Sequence, residues 1–234
     1  MQTYWTLQET VARLSVPDFT GAVDVIFPWH GFLLESTVPG RIALLKVFTR
    51  ASGGATPETL VDCYQRGTDV VATYAQTPER NVRPQVYWRF VAPAALELIL
   101  STQTSLLDSQ PSTALESALP AGEMLGLAVD GSSAAVEMNA WHTGAAAPRA
   151  VLFRPEKPNI SYLEMVHPSD FAGVQLSVVD GLPTVRWHLF PEPLEKGVIR
   201  RGRVRGMLLP RSGDMAAAQE AIGSFARSAL ALST

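Results

Sequence analysis

The sequence predicts a mainly β protein: a large antiparallel β-sandwich, supersandwich-like in size, with one C-terminal α-helix. Three observations predict it. Short runs of alternating apolar and polar residues recur along most of the 234 positions. These runs are closed by Gly, Pro, Asp or Ser, the residues that turns require. Helical spacing of apolar residues is almost absent before the C-terminus. So many strands in a single open sheet would leave an apolar face in water, so two packed sheets or a closed barrel are required, and the sandwich is favoured.

Strands are predicted at residues 22–29, 31–37, 41–50, 59–66, 68–76, 84–91 and 95–104. Others follow at 124–131, 134–141, 149–155, 160–167, 174–179 and 183–190. Turns are read at 38–41 (VPGR), 66–69 (RGTD), 129–133 (VDGSS) and 179–183 (VDGLP), with Asp130-Gly131 and Asp180-Gly181 the strongest hairpin signals. Two stretches interrupt the rhythm: a small-residue loop at 51–58 and a Ser/Pro/Ala connection at 109–122 with room for one helical turn. At the end, Asp214 reads as an N-cap and Ile222, Phe225, Ala226 and Ala229 fall on one face, which predicts a helix at about 214–230 packed on the sheet. No shift in composition marks a boundary, so one domain spanning 1–234 is expected.

Composition narrows the function. With 47% hydrophobic and 18% charged residues, the chain is too apolar to be disordered. A net charge of −3 argues against broad attraction to a nucleic-acid backbone. Cys63 is the only cysteine, so neither an intrachain disulfide nor a Cys-rich zinc site is available, and a reducing compartment fits. No stretch resembles a leader or a membrane span, which points to a soluble, cytoplasmic protein. Phosphate-loop, dinucleotide-binding and EF-hand patterns are missing. No cofactor, metal, nucleic acid or membrane is expected as partner, and homo-oligomerisation stays open.

Four features bear on chemistry. Trp29-His30, Trp141-His142 and Trp187-His188 repeat a pairing that in a strand sends an indole one way and an imidazole the other; it suits either ordinary packing or a sugar platform. The segment EMVHPSDF gathers Glu164, His167 and Asp170 at a strand end, as a general acid/base group or as a capped turn. NVRPQVYWRF splits into a core parity (Val82, Pro84, Val86, Trp88, Phe90) and a donor-rich parity (Arg83, Gln85, Tyr87, Arg89), suited to a sugar or carboxylate or to cross-strand ion pairs. VIRRGRVRG sets Arg201, Arg203 and Arg205 in one row that needs carboxylates or an anion opposite it. The acidic turn 191–197 invites a hairpin that would lay these arginines beside Trp187, within cation-π reach.

In length and strand number the chain resembles the two-sheet architecture of sugar mutarotases, a resemblance of fold that carries no residue roles. The leading expectation is a non-enzymatic binding module for carbohydrate or a small anionic ligand, using Arg83, Gln85, Tyr87, Arg89, Trp187, His188, Arg201 and Arg203. The alternatives are a sugar isomerase, lyase or hydrolase using His167 with Glu164 and Asp170, and an interaction scaffold formed by the arginine-rich strands.

Overall fold

The computed structural model describes residues 4–17, 19–35, 42–48, 57–111, 113–157, 159–190 and 192–229. Among these, the strands are β1 (Trp5–Gln8), β2 (Val11–Val16), β3 (Phe19–Asp24), β4 (Phe32–Leu34), β5 (Ile42–Phe48), β6 (Leu60–Arg66) and β7 (Asp69–Tyr74). Next come β8 (Arg83–Val91), β9 (Ala95–Gln103), β10 (Asp108–Ser109), β11 (Thr113–Ala118), β12 (Glu123–Leu127) and β13 (Trp141–His142). The last are β14 (Ala150–Arg154), β15 (Ile160–Val166), β16 (Gly173–Val179), β17 (Leu182–Leu189), β18 (Leu194–Glu195) and β19 (Ile199–Pro210), before helix α1 (Asp214–Ala226).

Two antiparallel sheets stack face to face. One has nine strands in the order β1-β2-β3-β4-β5-β11-β17-β16-β13, the other eight in the order β12-β14-β15-β19-β9-β8-β7-β6, and β10 pairs with β18 at one end. Alternation explains the packing: the inward parity of each strand forms a continuous core that includes Phe19, Phe32, Trp88, Leu98, Phe153 and Trp187. All five core residues predicted in this segment, Val82 just before β8 and Pro84, Val86, Trp88 and Phe90 on it, are buried. Helix α1 lies on the outer face of the eight-stranded sheet, where Ala218, Ile222 and Phe225 cover Leu127, Leu152, Leu163 and Met165.

Several expectations are corrected. Residues 109–122 contain β11, a central strand of the nine-stranded sheet, in place of a connection; its small residues are buried by its neighbours β5 and β17. Residues 134–141 form no strand until β13 begins at Trp141, and β1 and β2 lie where none was read. The hairpin joining Trp187 to the arginines does not form, because β17 and β19 belong to different sheets: β17 pairs with β11 and β16, β19 with β9 and β15. Gly213, not Asp214, occupies the N-cap position; Asp214 opens the helix, its carboxylate held by Arg154 and Ser161. The helix ends before Ala229.

Of the turns, Asp180 and Gly181 both adopt positive φ in the tight β16–β17 hairpin, as read. The 38–41 turn, most of the 51–58 loop and the ends of the 41–50 strand lie outside the described residues. No helix among the described residues is long and apolar enough to cross a membrane.

Candidate functional site

Arg83, Gln85, Tyr87 and Arg89 share the outer face of the eight-stranded sheet with Arg201, Arg203 and Arg205. Cross-strand register aligns Gln85 with Ser101 and Arg201, Tyr87 with Ile99 and Arg203, and Arg89 with Glu97 and Arg205. Two segments far apart in sequence therefore meet on one surface. Their donors are largely answered from within: Arg89 grips Asp69 through two hydrogen bonds of 2.8 and 2.9 Å, and Arg205 grips Glu97. Tyr87 donates to Gln85 (2.6 Å), which donates to Thr73 (2.9 Å). The carboxylate facing Arg203 is Asp170, from the turn after β15 and not from a neighbouring strand; it accepts the Arg203 backbone N–H at 3.0 Å. The cation-π partner of Arg203 and Arg205 is Phe225 of α1, not Trp187.

The structure joins His167 to Asp170 but separates it from Glu164. His167 Nδ1 lies 2.7 Å from Ser169 Oγ, which donates to Asp170 at 2.6 Å, in a short 3-10 turn. The imidazole rests edge-on against Phe225, and burial, then Arg203, lowers its pKa. Glu164 points the other way, into the core between the sheets. There Tyr162 Oη (2.6 Å), Trp187 Nε1 (2.8 Å) and Ser117 Oγ all donate to it. Burial overrides these donors and pushes the carboxyl up to about 7. Cys63 is half-buried, its thiol raised to about 11 by burial and by Asp62, which removes it as a nucleophile at neutral pH.

The outer face of the nine-stranded sheet offers a different arrangement. Lys46 on β5, Glu116 on β11, Arg186 on β17, Gln175 on β16 and Trp141 on β13 stand in register as one transverse row across five strands. Glu116 takes Lys46 at 3.1 Å and Arg186 at 3.6 Å. The Arg186 guanidinium lies over Phe48, and its buried Nε–H has no partner among the described residues. At the Trp141 end, His188 meets the indole edge to face at 4.1 Å; burial and Arg186 hold its pKa down to about 4, so the ring is neutral at pH 7.

At the opposite end, Trp29, His30, Ala43, Lys46, Ala118 and Leu182 line a recess of about 200 Å3. Trp29 and His30 belong to a 3-10 turn (Pro28–His30), not to a strand. Gly31 seats that turn: its φ is 70°, and an added Cβ would come within 2.5 Å of the Leu44 carbonyl and 2.9 Å of Lys46 Cγ. A β-bulge between Glu116 and Ala118, with Leu45 at positive φ, bends β5 and β11 beneath the recess.

The three Trp-His pairs thus divide. Trp187 is core while His188 faces outward; Trp141 is half-exposed beside it; Trp29 and His30 form the far wall. His142 Nε2 instead lies 2.8 Å from the Glu137 carbonyl on the edge strand. Of the five members of this row only Trp141 stood out in the sequence; Lys46, Glu116, Arg186 and Gln175 carried no readable signal. Among the described residues no three His, Cys, Asp or Glu side chains gather as a metal site.

The sequence matches no family model and no curated protein. Solved structures share the fold. The Slr1438 protein from Synechocystis sp. PCC 6803 superposes with a TM-score of 0.58 at 10% identity, over 88% of this chain and 99% of that one. A protein from Klebsiella pneumoniae named as an aldose 1-epimerase gives 0.54 at 10% identity, over 92% of this chain and 83% of its own. A mutant of the heparan sulfate lyase HepC from Pedobacter heparinus gives 0.52 at 7%, over 85% of this chain but 33% of the lyase. At these identities the likeness is one of fold.

Proposed function

We propose that the chain binds a carbohydrate on the outer face of the nine-stranded sheet. One observation carries the reading: indoles at both ends, Trp29 and Trp141, flank a row of hydrogen-bonding side chains, Lys46, Glu116, Arg186 and Gln175. Sugar rings offer apolar C–H faces for indoles and a rim of hydroxyls for charged donors and acceptors, and this row supplies both. A neutral His188 adds an imidazole that neither repels Arg186 nor demands a counterion. The names of two fold neighbours, an aldose 1-epimerase and a heparan sulfate lyase, support a sugar-related role.

The rival binding surface, the face bearing Arg83, Gln85, Tyr87, Arg89, Arg201 and Arg203, already directs much of its polarity onto Asp69, Glu97 and Asp170. An isomerase, lyase or hydrolase centred on His167 has the Ser169–Asp170 chain in place but finds Glu164 on the other side of the sheet.

Thermal-shift and tryptophan-fluorescence titrations with glucose, glucuronic acid and glucose 6-phosphate test the proposal. At least one should raise Tm, and Trp29→Ala or Lys46→Ala should weaken its binding by about tenfold, roughly 1.4 kcal/mol. Loss on Arg83→Ala with Lys46→Ala unaffected would move the site to the other sheet. No shift with any sugar would remove the proposal.

A further inference from the structure

The row on the nine-stranded sheet is longer than one sugar. Five strands at their usual spacing place Lys46 and Trp141 roughly 19 Å apart, the length of three or four linked pyranoses. Both ends are aromatic, and the positions between them are polar without interruption. A single sugar held in the recess by Trp29 and His30 would leave Gln175, Trp141 and much of Arg186 without a role.

The charges along the row have a sign. Two cations share one carboxylate, so Lys46, Glu116 and Arg186 together carry a net positive charge. Their donors are not exhausted. Lys46 has three N–H groups and, among the described residues, one hydrogen bond, to Glu116. Arg186 meets Glu116 only at 3.6 Å, and its Nε–H is buried without a partner among the described residues. The cations stand two strands apart, about 10 Å, on the scale of every second sugar in an extended β-linked chain.

We infer that the ligand is a linear acidic glycan several sugars long, lying across the strands from the Trp29 recess to Trp141. This rests on the carbohydrate-binding reading and adds length and charge to it. Carboxylates on one side of such a chain meet Lys46 and Arg186, while the terminal sugars pack on the indoles.

Isothermal titration with glucuronic acid, with β-linked glucuronan di-, tetra- and hexasaccharides, and with neutral cello-oligosaccharides of the same lengths tests both parts. Affinity should rise at least tenfold from monomer to tetramer and level off by the hexamer. The glucuronan tetramer should bind about tenfold more tightly than cellotetraose at low salt, the advantage shrinking as salt screens it. In Trp141→Ala the tetramer-to-monomer ratio should collapse towards one. A monomer bound as tightly as the tetramer, or an unchanged ratio in Trp141→Ala, overturns the extended track and leaves single-sugar binding standing. Equal affinity for cellotetraose overturns the charge requirement. If no saccharide of any length binds, this inference falls together with the carbohydrate reading beneath it.

Discussion

At about pH 5, where the fold keeps the Glu164 carboxyl protonated, Glu164→Ala should destabilise the protein by about 3–5 kcal/mol, seen as a lower urea midpoint at unchanged m-value. The loss follows from what the carboxyl holds. Tyr162, Trp187 and Ser117 aim donors at it from three strands in two sheets, and all four side chains are buried. Ser117 also accepts the Leu45 N–H at 2.7 Å, so the same atoms pin the bulge beneath the recess. Alanine would orphan three buried donors and leave a void in one step. A loss below about 1 kcal/mol would show that the cluster can rearrange around the missing acceptor.

The same residue fixes a pH dependence. In the unfolded chain the carboxyl ionises near its ordinary value of 4.5, whereas burial raises it to about 7 in the fold. Between these values the folded state keeps a proton that the unfolded state has released. Stability therefore falls as pH rises through this window, and the penalty, about 3 kcal/mol, is complete above pH 7. Glu164→Gln, which cannot ionise, should lack this contribution, so its stability relative to wild type should improve from pH 4.5 to 7. Parallel pH profiles for the two proteins would refute the assignment.

Arg80→Met should cost a comparable amount, about 3–5 kcal/mol. The Arg80 side chain is fully buried, paired with buried Glu58, bonded to the Ala75 carbonyl and set beside the Tyr74 ring. Removing the guanidinium strands a carboxylate in a low-dielectric interior, which costs more than the pair contributes when intact. The double variant Arg80→Met, Glu58→Gln should recover much of the loss. A double-mutant cycle in urea that gave a coupling below about 0.5 kcal/mol would count against a mutually dependent pair.

Strand faces were legible from the sequence; strand partners were not. Alternation in NVRPQVYWRF placed Trp88 inside and Arg89 outside, and the same logic set Arg201, Arg203 and Arg205 on one face of β19. Period-two patterning reports which way a side chain points and nothing about what lies beside it. The row from Lys46 to Trp141 exists only through four cross-strand registers, three of them between distant segments, so Glu116 had no local mark. β11 itself, TALESA, is short, with small residues where a central strand usually carries branched or aromatic ones, and its burial comes from its neighbours. The repeated Trp-His pairs were the visible trace of the site, although one indole turned inward to Glu164.

β11 also bears on how the chain assembles. β5 and β17 are joined in the nine-stranded sheet only through it, and between β5 and β11 the chain builds β6 to β9 of the opposite sheet. Until β11 docks, β5 and β17 each offer an unpaired edge, and every ladder that closes the gap links residues far apart in sequence. Contacts of that range slow folding and lengthen the time that sticky edges are exposed to other chains. During synthesis the short, small-residue segment that looks like a linker covers the β5 edge when it emerges and then presents its own open edge until β17 follows, so an edge able to pair with other chains stays exposed across most of the chain's length.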